Sequence, residues 1–270
     1  MKISFSFHPL FVFEQNRPNC VRPIMKKIIG VFALCIAVVT TAVGQDAKPV
    51  KGSAETAKAA ASPADLAKAT LAAHGGDKLR GIKSLVLRGS VDITASGSPQ
   101  AIPATFAMIF AGEKYRLDLL NPFQPISQVF DGTNTQTTAQ GGFELPPINR
   151  VGFIMLSKVG DTNFAISALP DSSKKKNGFR ITSPEGFYTD YLVDEKTGQL
   201  KGYESSYDVN GRIATTSVAI DKYRIVDGIT VPERFSQRFD LGQLTAYADF
   251  KTKEILVNSE IPNGIFSLGK

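Results

Sequence analysis

The sequence predicts a mostly β protein of the α+β class, in which one antiparallel sheet is accompanied by a few helices. Two patterns carry this prediction. Between Leu85 and Phe110, apolar residues alternate with polar ones, as they do in strands that are buried on one face. From Asp194 onward a turn signal recurs every 12 to 17 residues, which is typical of a meander of antiparallel strands.

A helix is expected before the sheet. Ser62-Pro63 places an N-capping hydroxyl before a proline at the first helical position, and residues 66–71 carry an apolar-leaning stripe. Gly75-Gly76 ends the pattern, because two glycines disfavour a continued helix. A short second turn over residues 77–81 then leads into the sheet.

The strands follow in order, with one interruption. Alternation predicts strands over residues 85–93, 102–110 and 115–119, and Asp131-Gly132 marks a turn between two further strands. Between Pro147 and Gly160, apolar residues recur at three- and four-residue steps, which predicts a helix within the sheet region. The later strands are separated by turn signals at Asp194–Gly198, Asn210-Gly211, Asp227-Gly228 and Asp240-Leu241-Gly242.

The N-terminal region has the pattern of a secretory signal. Met25 is followed by Lys26 and Lys27, by an apolar stretch over residues 28–39, and by the small-x-small site Ala42-Val43-Gly44. The apolar stretch is shorter than the roughly 20 residues that a membrane-spanning helix needs, although an anchor is the alternative. We therefore expect an extension and signal peptide over residues 1–44, with translation starting at Met25, and a periplasmic mature protein.

Removal of residues 1–44 changes what the composition implies. Both cysteines, Cys20 and Cys35, leave with the signal, so the mature domain has no disulfide framework. The same cut removes five basic residues and one acidic residue, so the formal charge falls from +6 to +2. A charge this small gives no basic stripe for nucleic acid. Residues 45–62 are rich in Ala and Lys and are expected to be a flexible linker, and residues 63–270 are expected to be one domain.

The mature domain is poor in the residues that catalysis or metal binding uses. His74 is its one histidine, and its place beside Gly75-Gly76 suggests a helix cap or an exposed loop residue. One histidine without cysteine does not make a usual zinc site, and no nucleotide-binding or nucleophile-elbow motif follows a strand. We therefore expect no metal, no cofactor and no enzyme activity, and a hydrolase is the least favoured hypothesis.

Three stretches of the chain resemble a known family, the outer-membrane lipoprotein-sorting proteins, which form the superfamily of the periplasmic lipoprotein carrier LolA. The stretches are His74-Gly75-Gly76-Asp77-Lys78-Leu79-Arg80 with Ile82-Lys83-Ser84, then Tyr115-Arg116-Leu117-Asp118 through Asp131-Gly132, and Asp221-Lys222-Tyr223-Arg224 through Asp227-Gly228-Ile229-Thr230-Val231-Pro232. The resemblance implies a strongly curved antiparallel sheet, an unclosed barrel, with helices covering its concave face. It also implies an apolar cavity that holds the acyl chains of a lipoprotein or a related lipid. The chain departs from the well-studied carriers in having no Trp.

Six residues are the candidate lining of that cavity, because they fall on the apolar phase of strands or on the interrupting helix. They are Phe106, Met108, Phe110, Leu117, Phe130 and Met155. The alternative for each is a place in a closed core, since methionine among aromatic residues suits an adaptable pocket and a core equally.

The leading hypothesis is a non-enzymatic periplasmic carrier or chaperone for lipoprotein or lipid acyl chains, with a role in outer membrane biogenesis. Its partners would be the lipid cargo and membrane proteins of the inner or outer membrane. The alternative is a periplasmic envelope-stress sensor of the same fold, which would bind an exported protein segment.

Overall fold

The computed structural model describes residues 61–98, 100–140, 144–170, 177–209, 211–242 and 244–268. The expected signal peptide and all but the last two residues of the expected linker lie outside these ranges. The division of the chain at residues 44 and 62 therefore stays a prediction.

The described chain contains two α-helices, two 3-10 helices and twelve strands. The helices are α1 (Pro63–Ala73), α2 (Asp77–Arg80), η1 (Phe153–Lys158) and η2 (Asn263–Phe266). The strands are β1 (Ser84–Ala95), β2 (Ile102–Ala111), β3 (Lys114–Leu120), β4 (Ile126–Phe130), β5 (Thr135–Thr137), β6 (Ala165–Ser167), β7 (Gly178–Thr182), β8 (Tyr188–Val193), β9 (Leu200–Val209), β10 (Arg212–Val226), β11 (Ile229–Leu241) and β12 (Leu244–Val257).

All twelve strands belong to one antiparallel sheet, in the order β5-β4-β3-β2-β1-β12-β11-β10-β9-β8-β7-β6. Every neighbouring pair but one is consecutive in the chain, so hairpin turns build most of the sheet. The exception joins β1 to β12, where Leu85 lies opposite Val257 and Ala95 opposite Ala246. Because β5 and β6 are the two edges and do not pair with each other, the sheet is unclosed. The predicted class and the antiparallel arrangement are confirmed.

The first helix begins where the sequence indicates. The Ser62 hydroxyl accepts a hydrogen bond from the backbone N–H of Asp65 at 3.1 Å, which satisfies one of the free donors of the first turn. The helix ends at Ala73 with His74 as its C-cap, and Gly75 and Gly76 take φ values of 115° and 56°, which residues other than glycine rarely adopt. The helix α1 packs against β6, β7 and η1. That helices cover the concave face stays a prediction.

The helix expected between Pro147 and Gly160 is shorter than its pattern suggests and is of the 3-10 type. It occupies only Phe153–Lys158. Gly152 stops a longer helix, because it lies within the expected range and its φ of 85° is outside the helical region.

One face of the sheet carries the main core. Buried strand residues such as Leu87, Val218 and Phe250 form a single cluster with Leu71 of α1 and Leu156 of η1. On the opposite face a small cluster joins Val86, Ile109, Val129 and Phe266, so the C-terminal segment covers part of that face. Within the described ranges, no helix has the length and apolar character needed to cross a membrane.

Candidate functional site

The core face of the sheet is crossed by residues 144–152, here called the strap, which lead from the region after β5 to η1. The strap begins with Glu144 and Leu145, and Pro146-Pro147 follows. Prolines donate no backbone hydrogen bond, so Pro146 and Pro147 supply no donor to a strand ladder. Side chains of the sheet hold the strap instead.

Gln128 of β4 holds the first part of the strap. Its side-chain Nε2 donates to the carbonyl of Leu145 at 2.9 Å, and its Oε1 accepts from the Leu145 N–H at 2.8 Å. The same Nε2 donates to the Tyr115 hydroxyl at 2.7 Å. The side-chain amide thereby makes the two hydrogen bonds to Leu145 that the backbone of a neighbouring strand would make. Gln128 is only 1% exposed.

Two side chains of β8 hold the last residue of the strap. The backbone N–H of Gly152 donates to the Thr189 hydroxyl at 2.9 Å, and the Tyr191 hydroxyl donates to the Gly152 carbonyl at 2.8 Å. A Cβ on Gly152 would lie 3.0 Å from the ring of Tyr203. Glycine is therefore required here both by the positive φ and by the close approach to the sheet.

Between these anchors, Asn149 is attached to the β2–β3 turn. Its Nδ2 donates to the Glu113 carbonyl at 2.9 Å, and the Glu113 carboxylate pairs with Lys158 of η1 at 2.9 Å. The strap is thus tied to three separate places on the sheet.

Three adjoining cavities lie along the core face of the sheet, two of them beneath the strap and one beside η1, and we call them the cavity row. The first, the end cavity, has a volume of about 160 Å³ and is almost wholly apolar. Its lining residues are Ile93, Met108, Leu117, Leu119, Ile126, Leu145, Pro146, Ile148, Gln237, Phe239, Ala246, Ala248 and Phe250.

The second, the middle cavity, has a volume of about 60 Å³ and shares Met108, Pro146, Ile148 and Gln237 with the end cavity. Its other lining residues are Leu85, Leu87, Phe110, Val151, Gly152, Phe153, Ile154, Tyr203, Thr216, Val218, Pro232 and Phe235. The shared Gln237 donates to the Thr216 hydroxyl at 2.6 Å, so its polar amide has a partner within the apolar wall.

The third, the mouth, has a volume of about 360 Å³ and shares Leu85, Phe110 and Ile154 with the middle cavity. Its polar lining residues include Arg80, Lys83, Glu113, Asn149, Lys158 and Asp161. The mouth lies at the Ser84 end of β1 and the end cavity reaches Ile93 of the same strand. At about 3.3 Å per residue, the row spans roughly 30 Å along β1.

All six candidate lining residues are buried, but the structure does not bring all of them to the cavity row. Met108 lines both apolar cavities, Phe110 lines the middle cavity and the mouth, and Leu117 lines the end cavity. Phe130 lines a separate pocket, where the Arg150 guanidinium lies 5.2 Å from the centre of its ring. Phe106 and Met155 lie in the main core and line none of the three cavities.

Of the two alternatives for His74, the helix cap is confirmed and the exposed loop residue is wrong. His74 is fully buried. Its Nδ1 lies 2.8 Å from the Thr230 carbonyl, and its Nε2 accepts from the Leu200 N–H at 3.1 Å. These partners require a neutral ring with the proton on Nδ1. Burial lowers the pKa of His74, which agrees with the neutral form.

The sequence reasoning missed Gln128, Asn149 and Gly152, the residues that attach the strap. A polar Gln128 among the apolar positions of β4 was the one available signal, since buried polar side chains require partners. In the described ranges, no three His, Cys, Asp or Glu side chains come together in a way that could hold a metal ion.

No family model matches the chain, and no curated protein does. Solved structures similar to it include a LolA superfamily protein from Nitrosomonas europaea, with a TM-score of 0.45 and 10% identity over 77% of this chain and 99% of that chain. A DUF1329 family protein from Desulfovibrio piger has a TM-score of 0.42 and 10% identity, covering 76% of this chain and 95% of that one. An outer membrane lipoprotein-sorting protein domain from Vibrio parahaemolyticus has a TM-score of 0.39 and 8% identity, covering 75% and 95%. The family that the sequence resembles is thus named among its structural neighbours.

Proposed function

We propose that this protein is a non-enzymatic periplasmic carrier that binds the acyl chains of a lipid or lipoprotein in the cavity row. The observation that carries the proposal is the continuity of apolar lining from Phe110 through Met108 to Ala248, beneath a strap that no ladder of backbone hydrogen bonds holds in place. The family resemblance in the sequence implies the same class of ligand.

The length and lining of the row suit an acyl chain. Each exposed methylene costs about 0.8 kcal/mol in water, so a chain of about fourteen methylenes costs roughly 11 kcal/mol. The two apolar cavities extend from Leu85 to Ile93 of β1, a distance of roughly 26 Å at about 3.3 Å per residue. Such a chain would exchange water for the walls formed by β1–β3 and β10–β12.

Binding requires the strap to move. The end and middle cavities measure about 160 Å³ and 60 Å³. Pockets that hold ligands usually measure about 300 to 1,000 Å³. Pro146 and Ile148 of the strap form the roof where the two cavities adjoin, and Met108 forms the floor. Lifting the roof merges the two spaces, and the unbranched Met108 side chain can adapt its shape to the chain that enters.

In this proposal the helices complete the cover of the concave face. Leu71 of α1 and Phe153 of η1 belong to the same buried cluster as the cavity walls, which supports such a cover. The cargo would be delivered between membrane proteins of the inner and outer membranes.

A substitution that fills the end cavity tests the proposal. Ala248→Phe should place a ring in the cavity without opening a void, so the acyl chain loses its space while the domain stays folded. Ala219→Phe is the matched control, because Ala219 is exposed on β10 and lines none of the three cavities. Displacement of a fluorescent fatty acid would measure binding, and the midpoint of thermal unfolding would report folding.

We expect at least tenfold weaker binding for Ala248→Phe and wild-type binding for Ala219→Phe. Equal binding by the two folded variants would contradict the assignment of the site. A wild-type protein that neither binds labelled acyl chains nor releases a co-purified lipid would overturn the carrier proposal. The sensor that binds an exported protein segment would then take its place.

A further inference from the structure

The mouth of the cavity row differs in chemistry from the rest of the row. Arg80 flanks it from the end of α2, Lys83 from the segment between α2 and β1, and Lys158 from η1. Two carboxylates, Glu113 and Asp161, are also in its lining. A wall with both signs of charge is suited to a ligand that itself carries both signs.

The cations of the mouth differ in how much of their charge is already paired. Lys158 pairs with Glu113 at 2.9 Å, and Arg80 pairs at 3.0 Å with Asp77, whose side chain is 93% exposed. The Lys83 ammonium has no hydrogen-bond or ion-pair partner among the described residues. Lys83 and the far side of the Arg80 guanidinium are therefore free to bind an anion that enters the mouth.

A buried acceptor in the same lining lacks a partner. Asn149 is 7% exposed, and its Nδ2 is used by the Glu113 carbonyl. Its Oδ1 is buried and has no hydrogen-bond donor among the described residues. A buried acceptor without a donor costs about 1 to 3 kcal/mol, so an N–H group brought by a ligand would remove that cost.

We propose that the mouth binds the headgroup of a phospholipid that carries both a phosphate and a primary amine, of the phosphatidylethanolamine type. The inference rests on the proposed function, because the acyl chains of this lipid enter the row beyond Phe110. The phosphate contacts Lys83 and Arg80, and the amine donates to Asn149 Oδ1 beside the Glu113 carboxylate. A quaternary amine has no N–H and leaves Asn149 unpaired.

Short-chain lipids with identical acyl chains would separate the headgroup from the chains. Dioctanoyl phosphatidylethanolamine, dioctanoyl phosphatidylcholine and dioctanoyl glycerol would compete with a fluorescent fatty acid for the full-length mature protein. We expect the ethanolamine lipid to bind roughly fivefold more tightly than the choline lipid, which corresponds to one satisfied hydrogen bond. Soluble glycerophosphoethanolamine should not compete at the same concentration.

Two variants assign the effect to residues. Lys83→Gln should weaken the binding of the ethanolamine lipid roughly fivefold and leave the binding of dioctanoyl glycerol unchanged. Lys114→Gln is the control for net charge, because Lys114 is the first residue of β3, directly after Glu113, and lies outside the mouth lining. Asn149→Leu should abolish the preference for ethanolamine over choline, with thermal unfolding to confirm that the domain remains folded.

The results distinguish this inference from the carrier proposal. One outcome is that dioctanoyl glycerol binds while the ethanolamine lipid binds no more tightly than dioctanoyl glycerol and no more tightly than the choline lipid. That result would refute the headgroup site and leave the carrier proposal intact. The same holds if Lys83→Gln loses no more affinity than Lys114→Gln. Equal competition by glycerophosphoethanolamine would mean a site for a free phosphate ester and would also refute the inference. Failure of all three lipids would refute both.

Discussion

The attachment of the strap by Gln128 can be tested by a substitution of nearly equal volume. Gln128→Met removes the amide that donates to and accepts from Leu145, while it keeps an unbranched side chain of similar length. The N–H and carbonyl of Leu145 would then be left without partners in a position where the lost amide was 1% exposed. Each buried unpaired group costs about 1 to 3 kcal/mol, so the free energy of unfolding should fall by about 3 kcal/mol.

Urea denaturation followed by far-UV circular dichroism measures this change, because the chain has no Trp for fluorescence. Gln136→Met is the matched control. Gln136 lies on the neighbouring strand β5, is exposed, and accepts only one long contact of 3.4 Å from the Leu268 N–H. We expect the control to change the free energy of unfolding by less than about 0.5 kcal/mol.

Hydrogen exchange adds a local measurement. The Leu145 amide should exchange faster in Gln128→Met, since its acceptor is gone, while the amides in the middle of β1 and β12 should keep their relative protection. A loss of stability no larger than that of Gln136→Met, with an unchanged Leu145 exchange rate, would show that Gln128 does not hold the strap.

Three further predictions concern pH, metals and processing. Burial lowers the pKa of His74, so the unfolded chain binds this proton more readily than the folded one. The contribution of His74 to the free energy of unfolding is therefore fully present above about pH 6.5 and decreases as the pH falls below it. A urea midpoint that is no lower at pH 5.5 than at pH 7.5 would contradict this prediction. The purified domain should carry no stoichiometric transition metal, and a thermal midpoint that drops by several degrees in chelator would argue against that expectation. The exported protein should begin at Gln45, and an intact mass that includes residues before Met25, or a diacylglycerol on Cys35, would overturn the reading of the N-terminus.

Local patterns were sufficient for much of the fold. Alternation placed Met108, Phe110 and Leu117 on the core face, and the structure confirms those positions in the main cluster. The Asp227-Gly228 turn was equally recognisable, because the φ values of 52° and 81° at these residues are ones that Asp and Gly tolerate. Such features depend on neighbours within a few residues, which a period or a dipeptide can report.

The candidate site was only partly predictable. The position of a residue in the apolar and polar alternation of a strand identifies a buried side chain. It does not distinguish the wall of a cavity from a closed core. Phe106 has the same phase as Met108 on β2, and Met155 lies on the interrupting helix, yet both pack against other core residues, while Met108 lies under the roof formed by Pro146 and Ile148. That difference depends on where the strap lies, and no periodicity in residues 144–152 encodes it.

The class of the domain, its turns and the inward side of its strands thus follow from local sequence, since period-two alternation and turn chemistry act between adjacent residues. The pairing of β1 with β12, the course of the strap and the burial of His74 depend on the assembled sheet. His74 bonds Leu200 and Thr230, which are 126 and 156 residues away in the chain. Contacts at such separations are set by the packing of the whole sheet, because a buried polar group requires a hydrogen-bond partner and only the assembled fold places that partner beside it.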